Sequence, residues 1–258
     1  MRFSLARRAV AEFTGTAFLV AAVIGSGIMA ERLSSGNVAI ALLANTIATG
    51  AALVALIFTF SDISGAHFNP IVTLMSAWER GMLWAEAPHY IAMQILGGVC
   101  GSFAAHWMFG LALISFSHHE RSGRAQLFSE FVATFGLMSV IWGCSHLRSL
   151  GKATDLGVRP DETAFSGFSF VAADPSYVPF AVAAYIASAY WFTSSTSFAN
   201  PAVTIARCLS DTFAGIRPID VPWFVTAQIA GGLAATLLFR WFFSPGQFAD
   251  VRGSSLVR

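Results

Sequence analysis

Six stretches of this chain are apolar and long enough to cross a lipid bilayer, and that restricts the possible folds more than any other feature. They run over residues 10–29, 38–60, 90–114, 127–144, 178–196 and 221–243. A bilayer core of roughly 30 Å is crossed by about 20 helical residues. A spanning helix is suited to this solvent because its backbone groups bond one another. The composition agrees: of the 258 residues, 55% are hydrophobic and 11% charged, against about 25% charged in an average soluble domain. The expected fold class is therefore an all-α, multi-pass membrane protein. Arg7 and Arg8 precede the first stretch, which is too long for a signal peptide and has no small-residue cleavage site, so it is expected to be retained.

The chain repeats itself. "RAVAEFTGTAFLV" (8–20) opens one half and "AQLFSEFVATFGLMSV" (125–140) the other, with Glu12-Phe13 matching Glu130-Phe131. "MQILGG" (93–98) matches "AQIAGG" (227–232), and "FNPIVT" (68–73) matches "ANPAVT" (199–204). The repeats span about residues 8–114 and 125–243 within a single domain, 1–258. Three spans per half is an odd number, so the second half enters the membrane from the opposite face, the inverted plan common among transport proteins. About 13 additional residues of the second half fall in the loop at 147–176.

The two Asn-Pro pairs are helix starts. Asn is a preferred N-cap and Pro a preferred first helical residue. The apolar stretches that follow, "IVTLMSAW" and "AVTIARCL", suit two or three turns and cannot span. Each is expected to be a re-entrant half-helix. In an inverted repeat the two dip in from opposite faces and their N-termini meet near the midplane, where irregular backbone must line a watery cavity or be buried in protein. Positive dipole ends and two Asn amides there would repel cations, including protons.

With two N-P-x-V-T boxes at matching places in a six-span repeat, the sequence resembles the aquaporins, or major intrinsic proteins, over nearly its whole length. The resemblance implies six tilted helices and two half-helices around one pore per subunit, in a homotetramer. It makes Asn69, Pro70, Ile71, Asn200, Pro201 and Ala202 the pore midplane, and Glu12 and Glu130 buried braces of the half-helix loops. His67 braces its loop or lines the cytoplasmic mouth. Ile71 departs from the family's Ala and is expected to affect the pore diameter. Distance from the boxes assigns the family's selectivity filter to Thr49, Ser188, Ser197 and Val203, where water-selective members have an aromatic residue, a His and an Arg. A ring without them would be wide, neutral and half polar, suited to small polyols and metalloid hydroxides. Val in place of the filter Arg resembles an aquaglyceroporin subgroup of bacteria linked to arsenic resistance, for which arsenite and methylated arsenicals are solutes to consider.

The function expected is a passive channel for small uncharged solutes and water. The alternatives are a water-selective channel or a coupled secondary transporter, the latter disfavoured because only Glu12 and Glu130 come near mid-membrane as ionisable groups. No nucleophile-and-base or metal set suggests an enzyme, and no cofactor is implied. No basic cluster suggests nucleic acid. His118-His119 reads as a solvated loop rather than a metal site, and Asp62 as either a vestibule carboxylate or a turn residue. Cys100, Cys144 and Cys208 have no metal or disulfide spacing and read as small buried residues. Gly97 and Gly101 read as a helix-contact step. With an inside N-terminus, ten of the fifteen Lys and Arg residues fall on the cytoplasmic side, which places both termini there. The expected partners are the solutes and the bilayer, in a bacterial inner membrane.

Overall fold

Each apolar stretch forms a helix, and each Asn-Pro pair starts a short one. The structure is a computed structural model that describes residues 3–155 and 177–243, with side chains in the first segment as far as residue 145. Long helices α1 (Leu5–Leu33) and α2 (Val38–Ser64) precede the half-helix α3 (Pro70–Trp78) and α4 (Ala87–Met108). The second half repeats the order with α5 (Arg124–Asp155), α6 (Val178–Phe192), the half-helix α7 (Pro201–Arg207) and α8 (Val221–Phe242).

Among the described residues, five helices are long and apolar enough to cross a membrane. The sixth, α6, has 15 residues, about 22 Å at the helical rise, and gives way to an extended link before the second box. The third span is shorter than expected, since α4 ends at Met108. Beyond it the chain runs back over the end of α7, where Ser115 and Ser117 donate to the carbonyls of Leu209 and Cys208 (3.0 Å each). Helix α5 continues into the region expected to be a loop, and residues 156–176 of that loop lie outside the described residues.

Small residues set the helix spacing. α4 packs along α1 because Gly97 and Gly101 lie directly against the carbonyls of Phe13 and Ala17, where a methyl group would overlap them. α8 packs on α5 through Gly231 against Phe131 in the same way. Close backbone approach of this kind drives association where lipid gives no hydrophobic advantage. Arg8 ties the start of α1 to that of α4 with two bonds to Glu86 (2.5 and 2.9 Å). The three cysteines form no disulfide, and Cys100 is exposed on α4 rather than buried.

Candidate solute pore

The two loops that precede the half-helices are held in a conformation they would not adopt alone. Ala66 and Phe68 have φ of 50° and 49°, and the residues at the same offsets from the second Asn, Ser197 and Ala199, have 51° and 48°. Left-handed backbone at non-glycine residues costs about 1–3 kcal/mol each and persists only where the surroundings over-determine it. The buried carboxylates do this. Glu12 accepts from the backbone N–H of His67 (3.0 Å) and Phe68 (2.7 Å), from the Ser64 hydroxyl (2.6 Å) and from Gln94 (2.8 Å). Glu130 accepts from Phe198 and Ala199 N–H (2.9 Å each) and from Gln228 (2.7 Å). Each Gln also donates to a half-helix threonine, Thr73 or Thr204, at 2.9 Å. The motif pairs Glu with Gln on neighbouring helices because the loop N–H groups need a charged acceptor in a dry interior, and that acceptor needs fixing.

The half-helices meet nose to nose. Asn69 caps α3 by accepting from Ile71 N–H (2.9 Å), and Asn200 caps α7 by accepting from Ala202 (3.0 Å) and Val203 (3.3 Å). Each Asn then donates across the join, Asn69 to the Ala199 carbonyl (2.8 Å) and Asn200 to that of Phe68 (2.7 Å). An amide NH₂ carries two donors, so one on each Asn is left for a passing oxygen. Pro70 and Pro201 take the first helical positions.

A cavity of about 460 Å³ passes this join. It is lined along α2 from Asp62 back to Thr49, and along α6 from Val178 to Tyr190, stretches of about 20 Å each at the helical rise. Asn69, Val72 and Ser76 line it from α3, and Asn200, Val203 and Arg207 from α7. Both sets follow the i, i+3, i+7 spacing of one helix face. His67 also lines the cavity and contacts Thr73 at 3.1 Å, so it both braces the loop and faces the passage. Asp62 stands exposed at the mouth and lines it as well.

Three expectations change. Ser188 does not face the cavity: it is exposed on the outer side of α6 and donates to the Tyr185 carbonyl (2.7 Å). Its neighbours Ile186 and Tyr190 line the passage, and the Tyr190 hydroxyl bonds Thr49 (3.2 Å). Ile71 does not narrow the pore either, since it is buried against α8, where its Cγ2 fills the space over Gly232. Pro70, Pro201 and Ala202 likewise lie behind the lining, with the Ala202 carbonyl against Gly98 of α4. Nor is the cavity beside Thr49 and Val203 free of aromatic and charged groups. Tyr190 is aromatic, and Arg207, one turn beyond Val203, borders the cavity. Thr49, Ser197 and Val203 also line the cavity. The pair His118-His119 holds no metal cluster among the described residues. His118 instead binds Asp211 through its backbone N–H (2.9 Å) and Nδ1 (3.1 Å).

Six helices and two half-helices joined at capped asparagines beside a continuous cavity define a membrane channel of the aquaporin type. The sequence profile of the major intrinsic protein family matches residues 1–160 and 151–256. An aquaglyceroporin, AqpS of Rhizobium meliloti (strain 1021), is 44% identical over 245 residues, covering 95% of this chain and 94% of that protein. Aquaporin NIP3-1 of Oryza sativa subsp. japonica is 31% identical over 159 residues, 60% of this chain and 50% of that one. Among solved structures, the aquaglyceroporin from Plasmodium falciparum superposes with a TM-score of 0.61 at 19% identity, covering 93% of this chain and 96% of its own, a likeness of fold. The chain belongs to the major intrinsic protein family, whose members are passive channels for water and small solutes and not enzymes.

Proposed function

We propose that this channel conducts glycerol-like polyols and neutral metalloid hydroxides, arsenite and methylated arsenicals among them, together with water. The observation that carries the reading is Val203 on the pore face directly after the second box, beside the hydroxyls of Thr49, Tyr190 and Ser197. Hydroxyls replace the hydration of a polyhydroxylated solute while the valine methyls take its carbon face. The similarity to an aquaglyceroporin over nearly the whole chain supports the same solute class. Thr49, Ser197 and Val203 act as the filter with Tyr190 in place of Ser188, and Asn69 and Asn200 act as the midplane donors. The working form is a homotetramer in a bacterial inner membrane with both termini cytoplasmic. That orientation rests on the excess of Lys and Arg on one side.

Stopped-flow swelling of proteoliposomes with glycerol, urea, arsenite and a methylated arsenical tests this. Glycerol flux should rise in proportion to its gradient without saturating. Val203→Arg, which adds a fork of donors beside the ring, should lower glycerol flux much more than water flux. An unchanged glycerol-to-water ratio in a folded Val203→Arg channel would refute the filter assignment, and wild-type swelling by water alone would establish the water-selective alternative.

A further inference from the structure

Among the described residues, Arg207 is the one large cation bordering the cavity, and its bonding is incomplete. Its Nε donates to the Ala214 carbonyl. Nη1 is buried without a partner, and among the described residues no other hydrogen bond is made by the group. A guanidinium carries five N–H donors, so four are left unused on a side chain 2% exposed. Unpaired buried donors are costly, most of all charged ones. Arg121, the neighbouring buried arginine, shows the contrast: it donates to the carbonyls of Gly215 (2.8 Å) and Ser195 (3.0 Å) and to the Thr196 hydroxyl (3.4 Å). Ser197 Oγ is also buried without a partner, and Ser197 also lines the cavity.

Direction matters as much as bonding. Helical side chains lean toward the helix N-terminus and cover the preceding turn, so Arg207 reaches back from its own position toward that of Val203. Its guanidinium rests on the Phe198 ring, 3.4 Å from the centroid, next in sequence to Ser197. The equivalent position on α3 is Ser76, so among the described residues no such cation lines the cavity from the first half-helix.

We propose that Arg207 and Ser197 form an oxygen-binding station in the outer pore, which selects neutral solutes by their hydroxyl or oxo oxygens and excludes cations. This rests on the reading of the chain as a polyol channel. A solute oxygen entering the pore takes up donors that the protein leaves unused, while a solute of similar size with a methyl group in place of a hydroxymethyl group leaves them bare. The fixed charge repels cations outside the asparagine join, in addition to whatever barrier the join provides.

The test compares glycerol with 1,2-propanediol, and both with potassium conductance, in proteoliposomes. Arg207→Met should lower the glycerol-to-propanediol flux ratio about fivefold to tenfold, tenfold corresponding to ~1.4 kcal/mol, and should admit potassium. Arg207→Lys keeps the charge but loses the fork, so it should still exclude potassium while losing most of the glycerol preference. Ser197→Ala should lower the ratio about twofold with potassium still excluded. Should Arg207→Met fail to fold, the Lys and Ser197 variants decide. Wild-type ratios in folded Arg207→Lys and Ser197→Ala channels that pass glycerol would overturn the station and leave the polyol reading intact. A wild-type channel that passes no glycerol would overturn both.

Discussion

Replacing Ile71 tests whether the first box's departure from Ala affects the passage or the packing. Its side chain is 1% exposed, and its Cγ2 occupies the volume a methyl on Gly232 would need. Ile71→Ala leaves a gap between α3 and α8, expected to cost about 2–4 kcal/mol in the range for such core truncations. Gly232→Ala forces a methyl into filled space, at about 1–3 kcal/mol for overpacking. In the double variant the new methyl occupies the space vacated by Ile71. Its cost should therefore fall below the sum of the single changes by about 1–2 kcal/mol, the coupling expected of residues in contact. Denaturant titration of the purified channel reads the stabilities, and stopped-flow swelling reads the flux. Water and glycerol flux per folded Ile71→Ala channel should match the wild type, because the side chain lies behind the lining. Strictly additive costs, or a clear rise in flux, would refute the placement and return Ile71 to the pore wall.

Glu12→Gln sets an amide among four donors, so at least one loses its acceptor, and stability should fall by about 1–3 kcal/mol for each one left unpaired, as thermal denaturation would show. Asn200→Asp puts a negative charge at the join and should admit potassium in a conductance assay; unaltered cation exclusion would contradict the role given to the midplane donors. In the loop beside α7, the two bonds from His118 hold the Asp211 carboxyl below the usual carboxylate range. A depressed carboxyl contributes stability that is complete above its unfolded value of about 3.9 and is lost as pH falls through the lower folded value. Exchange protection of the His118 amide should therefore be flat from neutral pH down to about 4 and decline below it, and Asp211→Asn should remove that step.

The parts legible in the sequence are those whose chemistry is carried by residue type. Asn-Pro announces a capped helix start wherever it stands, and the matches of Glu12 with Glu130 and of Gln94 with Gln228 are legible as a repeat, whereas the bond from each Gln to its Glu shows only in the fold. Rotational position on a helix is less legible. The count from Asn200 back to Ser188 crosses the end of α6 and a link in which Thr196 and Ser197 both have positive φ. A two-residue error on a helix turns a side chain by about 200°, and that separates Ser188 on the outside from Tyr190 in the pore. Ile71, two residues from Asn69, lies off the pore face for the same reason. Arg207 stands four residues after Val203 on one face of α7, outside the short Asn-Pro motif. Its partnerless nitrogens could be found only from the packed interior.

The two asparagines that cross the join carry a consequence for how the protein is made. Asn69 finds its acceptor on Ala199, and the Phe68 carbonyl finds its donor on Asn200. Some 130 residues of chain separate the partners, so the first half leaves the ribosome with its re-entrant loop unfinished. That loop can settle only after the second half has been threaded through the bilayer in the opposite sense. Insertion of the helices and completion of the channel are thus separate events in biogenesis, and a nascent chain halted between α4 and α7 would present quality-control proteases with an open polar seam in the middle of the membrane.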